Sequence, residues 1–572
     1  MSRTVYLDGE RRVLAASRVL AEGGEAEVHD LGGGLVGKLW KAPDHPDYAG
    51  LPEAQAAARE RLRVYPAKLD ALAALAASGR LPAGAITPTG RISRDKRGIE
   101  VIGFAMARIA GEPLHAWSEA AARRRLGVTP AQVVRVLLAL RVLVEAVHQA
   151  GVVIGDFNDL NVLVDGDTPA LIDLDSAQLG GWACPMFTDR FVDPRLLGPS
   201  APALAASRPG LGLARPHDVG SDWFAFAVMA FRSLVGVHPY GGVHRPPAPA
   251  RPLPPLERAR QGVTVAHPDV VYPRSAPPLQ VLPAPVLAWF EACFSGGVRV
   301  AMPTHLLAGL RFATCSGCGL DHARAACPRC VGVTVTAPAA TVRGALRVVD
   351  LALTALAPST VEVDAGDRAG AAWWWSGDTL WRRGVFGPER VGAVLGGQAR
   401  CWIGPAFGVG FYRAGGLTVG FLVRPDRAGL DDRVALPPMR GQLVAAHATL
   451  SAGRAWLGWT TAFAGRLHQQ LVVLDRAGAV LAHADVDVAA AAVDPDLAWM
   501  AGLAGAVAAG DALFVPTDDG LVRVELVAGA PAVTRTFADT RGLVGPADVL
   551  HLGPRGLDVV RAGRALRLEL TP

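Results

Sequence analysis

Ile154-Gly155-Asp156-Phe157-Asn158-Asp159-Leu160-Asn161, followed by Leu171-Ile172-Asp173-Leu174-Asp175, is the stretch on which the reading of this 572-residue chain turns. Its polar residues are flanked by two apolar runs, Val162-Leu163-Val164 and Ala170-Leu171-Ile172, whose composition predicts a pair of short strands. A rigid hairpin of that kind projects Asp156, Asn161 and Asp173 from its ends. Carboxylates and an amide oxygen are hard ligands for a divalent cation, and a carboxylate can also take a proton from a hydroxyl. Two Asp/Asn-rich β-turns would leave the same local signature with no chemistry attached. The order of residues elsewhere in the chain decides between the two.

Upstream lies Lys38, at the end of the apolar run Leu35-Val36-Gly37. Only four of the 57 basic residues are lysines (Lys38, Lys41, Lys68 and Lys96), so arginine is the default cation of this chain and a retained lysine is informative. A compact ammonium fits between phosphate oxygens where a flat guanidinium does not. Before it, Leu20-Ala21-Glu22-Gly23-Gly24-Glu25-Ala26-Glu27-Val28 predicts a glycine turn between strands, which alone suits an ordinary hairpin. Strands are expected over 18–21, 26–31 and 35–40, then a helix over 54–77 and a strand near 99–106. In that helix Glu60, or else Glu53, is the acid placed to pair with Lys38; a solvated acid reads equally well. Helices follow over 130–149, 221–235 and 284–294, with a Pro-rich loop over 245–255. Strands first and helices later predict a two-lobed α+β plan over residues 1–312.

Set in order, these residues resemble the protein-kinase signature. Asp156 and Asn161 have the spacing of H-R-D-x-x-x-x-N, and Asp173 follows 12 residues after Asn161, where the metal-binding aspartate of D-F-G belongs. Leu35–Lys38 resembles V-A-I-K, and Ala21, Gly23 and Ala26, with Val28, stand at the positions of the glycine-rich loop. Residues 105–111 resemble the hinge, with Met106 as gatekeeper. Ser221–Val228 resembles the central helix whose buried aspartate, here Asp222, braces the catalytic loop. Residues 294–304, with Arg299, Pro303 and Thr304, resemble the closing segment of the fold. Residues 1–312 are thus similar to bacterial, eukaryotic-like Ser/Thr protein kinases. Gly155-Asp156-Phe157-Asn158, Asp173-Leu174-Asp175-Ser176 and Gly236-Val237-His238-Pro239-Tyr240 resemble a branch associated with stress and tellurium-resistance gene neighbourhoods.

The resemblance implies ATP and Mg²⁺ (or Mn²⁺) as cofactors. It makes Asp156 the catalytic base, Lys38 and Glu60 the phosphate clamp, and Asn161 and Asp173 the metal ligands. Ala21, Gly23, Gly24, Ala26, Val28, Met106 and Arg108 would line the nucleotide. Several positions depart from the pattern. Ile154-Gly155 replaces His-Arg, so no arginine beside Asp156 awaits an activation-loop phosphate. Asp175 stands where D-F-G has glycine, and Asp193-Pro194-Arg195 replaces A-P-E, which predicts that Arg299 loses its usual acidic partner. Two other functions fit part of the pattern: a small-molecule phosphotransferase, which also places Gly-Asp before its asparagine, and an inactive kinase-like scaffold.

Cys315-x-x-Cys318 and Cys327-x-x-Cys330, eight residues apart, predict a closed Cys₄ zinc ribbon over 313–334. His322 reads as a bystander, and Cys184, Cys293 and Cys401 as packing residues. Residues 335–572 form short apolar-alternating runs broken by turns such as 475–479, 517–520 and 560–564, at about 40–45 residue spacing. An all-β, propeller-like domain is expected, with a β-sandwich pair as the rival and Trp373–Trp375 and Trp381 in its core. Its expected role is docking of protein substrates.

Composition bounds the rest. Hydrophobic residues make up 51% of the chain, enough for several cores, and a net charge of +5 is too small to argue for a nucleic-acid partner. The polar start carries no apolar signal-peptide core, and the best apolar run, 497–510, is too short to cross a bilayer. No membrane association and a cytoplasmic location are expected.

Overall fold

The computed structural model describes residues 3–15, 19–198, 213–273, 276–330, 341–343, 346–351, 358–366, 371–384, 387–395, 399–414, 417–425, 429–553, 555–561 and 564–570. The chain is a mixed α/β, multidomain protein with many separate sheets. It begins with β1 (Arg3–Leu7), β2 (Glu10–Leu14), β3 (Val19–Glu22), β4 (Ala26–Gly32) and β5 (Leu35–Trp40). After α1 (Pro52–Ala77) come β6 (Gly90–Ser93) and β7 (Val101–Ala107). These strands make one sheet in the order β2-β1-β6-β7-β5-β4-β3. The β1–β2 hairpin on its edge was not expected from the charged N-terminal sequence. Its register buries only Val5 and Leu14, so alternation is too sparse to read as a strand signal.

A helical region follows, with α2 (Leu114–Ser118), α3 (Ala120–Leu126), α4 (Pro130–Gln149), α5 (Val219–Val235), α6 (Pro255–Gln261), α7 (Ala284–Phe294) and α8 (Thr304–Ala308). Helix α4 starts where Thr129 accepts a hydrogen bond from the Gln132 amide and Pro130 supplies a preset φ. Its Val133, Leu137, Leu140, Val144 and Val147 form one buried stripe at 3–4 residue spacing. Helix α5 opens on an Asp218/Ser221 capping box and ends at Gly236, and every residue from Ser221 to Val235 is buried. Between the two helices lies the expected hairpin, Val162–Asp165 with Thr168–Leu171, joined at its edge by Glu112–Pro113.

Beyond the cysteines, the described residues form five antiparallel sheets. Leu346–Leu351 pairs with Arg564–Leu570, so the first and last parts of this region share a sheet. In Arg454–Phe463, Trp456 packs with Leu513 and Val515 of one neighbouring sheet. Leu457 and Trp459 pack with Trp402 and Phe411 of the other. Successive side chains of a strand point to opposite faces, and here both faces are buried. Of the tryptophans expected in the core, Trp374 and Trp375 are buried, while Trp373 and Trp381 are only half-buried. The turns at 475–479 and 517–520 connect paired strands; in the third, residues 562–563 lie outside the described residues. Among the described residues no helix is long and apolar enough to cross a membrane.

Candidate functional site

Lys38 sits in β5, opposite Val28 of β4 and Phe104 of β7. Its ammonium lies 2.7 Å from Asp175 and 3.1 Å from Asp173, residues that the sequence places more than 130 positions away. Burial opposes the charge, but the two carboxylates outweigh it and hold the Lys38 pKa above its ordinary value. Trp40 Nε1 donates to the second oxygen of Asp175 at 3.2 Å. Although Asp175 is buried, Lys38 and Trp40 keep its pKa below the usual carboxylate range. Asp173 adopts a left-handed backbone, φ 65°, a conformation that costs free energy in a non-glycine residue and is typically retained at functional sites.

Asp156 stands at the end of the same loop. Its carboxylate accepts hydrogen bonds from Thr188 Oγ1 at 2.8 Å and Asn158 Nδ2 at 3.2 Å. Burial nevertheless pushes its pKa up. Asn161 Nδ2 donates to the Asp156 carbonyl at 3.0 Å, which leaves its amide oxygen as the remaining side-chain acceptor. Asp222 of α5 accepts from the Ile154 and Gly155 amides at 2.8 and 2.9 Å, and His148 Nε2 lies 2.8 Å from it. Gly155 has φ 80°, and a Cβ there would stand 2.7 Å from Cys184, so an arginine at this position is sterically excluded. Asp159, to which the sequence reading assigned no role, is buried between Arg232 and His115 and is held far below the usual carboxylate range. It pins the loop to α5 and α2.

Glu60 is not the partner of Lys38. It is exposed, pairs with Arg63 one turn along α1, and takes no part in the cleft. The buried side of α1 is Arg61, Tyr65, Lys68, Leu69 and Leu72, so Glu60 lies round the helix from it. Arg61 pairs with Glu25 of the glycine turn, whose pKa burial raises. Ala21 pairs with Val28 in the β3–β4 register, and the Gly23 amide donates to the Ala26 carbonyl at 2.8 Å, closing the turn. Tyr48 donates to the Gly24 carbonyl at 3.1 Å. Met106 is buried opposite Val36, and Arg108 is exposed, its side chain 3.4 Å from Asp30.

A second expectation is also corrected. Arg299 has an acidic partner: Asp193, fully buried, receives Arg299 Nε at 2.7 Å and Arg195 at 2.7 Å. Removing one member of such a pair strands a buried charge, so Asp193→Ala should destabilise the protein by about 3–5 kcal/mol. Urea unfolding of the purified variant measures this, and a loss under about 1 kcal/mol would show the brace to be dispensable.

Lys68 is only 1% exposed and, among the described residues, has no hydrogen-bond partner. Burial lowers its pKa to about 8. Between pH 8 and the ordinary lysine range the folded chain binds fewer protons than the unfolded one, so stability rises with pH there and the penalty is complete below it. Lys68→Met should therefore raise unfolding stability at pH 7 by about 1–3 kcal/mol, with the gain shrinking towards pH 10. Denaturant melts of both proteins at the two pH values would refute this if they coincide at pH 7.

The four cysteines converge. Cys315 and Cys330 sulfurs are 3.7 Å apart, Cys318 and Cys327 sulfurs 3.6 Å, and all four lie within 4.8 Å of one another. Zn–S bonds of about 2.3 Å in a tetrahedron set sulfur–sulfur edges of about 3.8 Å, so the cluster could hold zinc. The Gly317 and Cys318 amides lower the Cys315 thiol to about 7, while contact with Cys318 and Cys315 pushes Cys330 up to about 12. A dication removes that mutual repulsion. The knot packs on the helical core through Leu320, and the Ala323 amide donates to Val281 at 2.8 Å.

No family model and no curated protein matches the chain. Among solved structures it is similar to the kinase PK-1 of Cydia pomonella granulovirus, at 12% identity over 50% of this chain and 91% of that one, with a TM-score of 0.33.

Proposed function

We propose that the chain is an ATP- and Mg²⁺-dependent phosphotransferase of the Ser/Thr protein-kinase type, built on a two-lobed fold over residues 1–312. The observation that supports it is the meeting of Lys38 with Asp173 and Asp175 beside the braced Asp156–Asn161 loop. In this reading the acceptor hydroxyl passes its proton to Asp156 as its oxygen attacks the γ-phosphorus. The bond to the β,γ-bridging oxygen breaks and ADP leaves. Lys38 binds phosphate oxygens and is itself held by Asp175, which takes the place first assigned to Glu60. Asn161 and Asp173 would hold Mg²⁺, which supplies charge neutralisation on the phosphates. Met106 and Val28 would bound the adenine, and Arg108 its outer edge.

The Cys₄ knot is read as a zinc ribbon, and the β-rich region as a propeller-like platform for docking protein substrates. The pairing of Leu346–Leu351 with Arg564–Leu570 supports a closed ring of sheets. Bacterial stress signalling in the cytoplasm is the setting that the sequence resemblance suggests. Incubating the full-length protein with Mg²⁺ and γ-labelled ATP tests the activity, with Asp156→Asn as the blank. Label should appear on protein serine or threonine. Absence of both ATP binding and label transfer would reject the reading, and binding without transfer would favour an inactive scaffold.

A further inference from the structure

Strands Arg454–Phe463 and Arg466–Asp475 are joined by a two-residue turn, Ala464-Gly465, with φ of 49° and 76°. Positive φ at both residues is the turn that follows strand twist most closely, so this tip is rigid. It projects from the β-rich region onto the segment that carries Thr188. The Asp189 amide donates to the Gly465 carbonyl at 2.9 Å, and Arg466 lies 3.5 Å from the Asp189 carboxylate and 3.1 Å from Asp487. A Cβ on Gly465 would stand 2.2 Å from the Phe187 carbonyl oxygen, so only glycine seats here. Asp189 directly follows Thr188, whose hydroxyl donates to Asp156 at 2.8 Å. On its other side the tip meets the glycine turn: the Phe463 ring would lie 3.6 Å from a Cβ on Gly24.

A second clamp holds the same arrangement. Arg413, buried in the β-rich region, lies 3.0 Å from the Glu22 carboxylate at the end of β3 and donates to the Gly441 and Met439 carbonyls. Lys41 joins Glu22 to Asp47, at 3.0 and 2.5 Å. The hairpin tip therefore bridges the glycine turn of the sheet and the segment whose Thr188 donates to Asp156.

We propose that the Phe463–Arg466 tip is a built-in occupant of the acceptor site: it is seated between the Gly24 turn and Phe187–Asp189 most of the time, and a protein acceptor reaches Asp156 only in the fraction of molecules in which it has lifted. This rests on the kinase reading above. The surface it covers offers a backbone amide and a carboxylate at Asp189, and the Phe187 carbonyl leaves no room for a side chain on the residue that sits there. The site so defined takes an extended acceptor with a small residue followed by arginine.

The test uses full-length protein and the variants Arg466→Ala, Gly465→Val and, as a control that keeps the turn, Ala464→Asn. Three quantities are read: ATP binding by calorimetry, hydrogen exchange at the Asp189 amide, and phosphate transfer to a synthetic serine peptide carrying Gly-Arg. Arg466→Ala and Gly465→Val should speed exchange at Asp189 and raise peptide phosphorylation about five- to tenfold, with ATP binding unchanged. Ala464→Asn should behave as wild type. Should Gly465→Val not fold, Arg466→Ala carries the test. Faster exchange without more phosphorylation overturns the proposal, because the tip would have lifted without opening a site. Unchanged exchange in both variants overturns it too, because the contacts would not seat the tip. If wild type binds no ATP, the kinase reading itself fails, a result the calorimetry separates from the other two.

Discussion

Replacing Lys38 with arginine should lower phosphate transfer by about two to four orders of magnitude, although the charge is kept. The ammonium occupies a slot between Asp173 and Asp175, with the Phe104 ring 5.9 Å away and the side chain 9% exposed. A guanidinium is wider, planar and longer in reach, so it cannot enter that slot without displacing one of the carboxylates. A thousandfold loss corresponds to about 4 kcal/mol of transition-state stabilisation, in keeping with the phosphate-binding role proposed for Lys38. Asp175→Asn should show a related defect. It leaves Lys38 held by Asp173 alone, and Asp173 is the residue assigned to the metal. Initial rates of label transfer at saturating Mg·ATP measure both, with thermal unfolding to show that the variants are folded. Near-normal turnover in Lys38→Arg would remove Lys38 from the mechanism.

Stripping zinc is expected to have the largest effect on stability. Freshly purified, reduced protein should contain one zinc ion per chain, and Cys318→Ser should reduce that content sharply. Structural zinc sites contribute on the order of 10 kcal/mol of apparent binding free energy, which in so short a segment is folding free energy. The knot packs against Val281 and the α7 side of the helical core, so its loss should loosen that face. Metal analysis together with chelator-dependent unfolding measures this. Zinc-free protein that unfolds at the same denaturant concentration with and without chelator would show that the cysteines hold no structural metal.

The Asp156–Asn161 loop was legible because its residues are local. Asp156, Asn161 and Asp173 are spaced by one hairpin, and a hairpin's geometry follows from its turn and strand lengths. The helices over 130–149 and 284–294 were equally readable, since a Pro sits in the first turn of each and Thr129 caps the former. The four cysteines declare their own spacing. By contrast, α1 carries ten alanines among its 26 residues, spread around the helix so that they do not mark its buried face, and the choice between Glu60 and another acid could not be made from periodicity. In the β-rich region the alternating runs were legible, but not every strand showed that alternation. Where both faces are buried, as in Arg454–Phe463, alternation of apolar and polar residues disappears.

From the sequence alone come the identity of the polar loop, the retained Lys38, the clustered cysteines and the order of strands before helices, because each depends on neighbours within one or two elements. Tertiary structure decided the partners. Asp175 rather than Glu60 holds Lys38, Asp193 rather than a glutamate holds Arg299, and a hairpin some 275 residues downstream seats beside Asp189. These are pairings of charges and backbone groups across elements far apart in the chain. Which carboxylate wins depends on burial and on distances of a few ångströms, quantities set only when the separate sheets and helices pack.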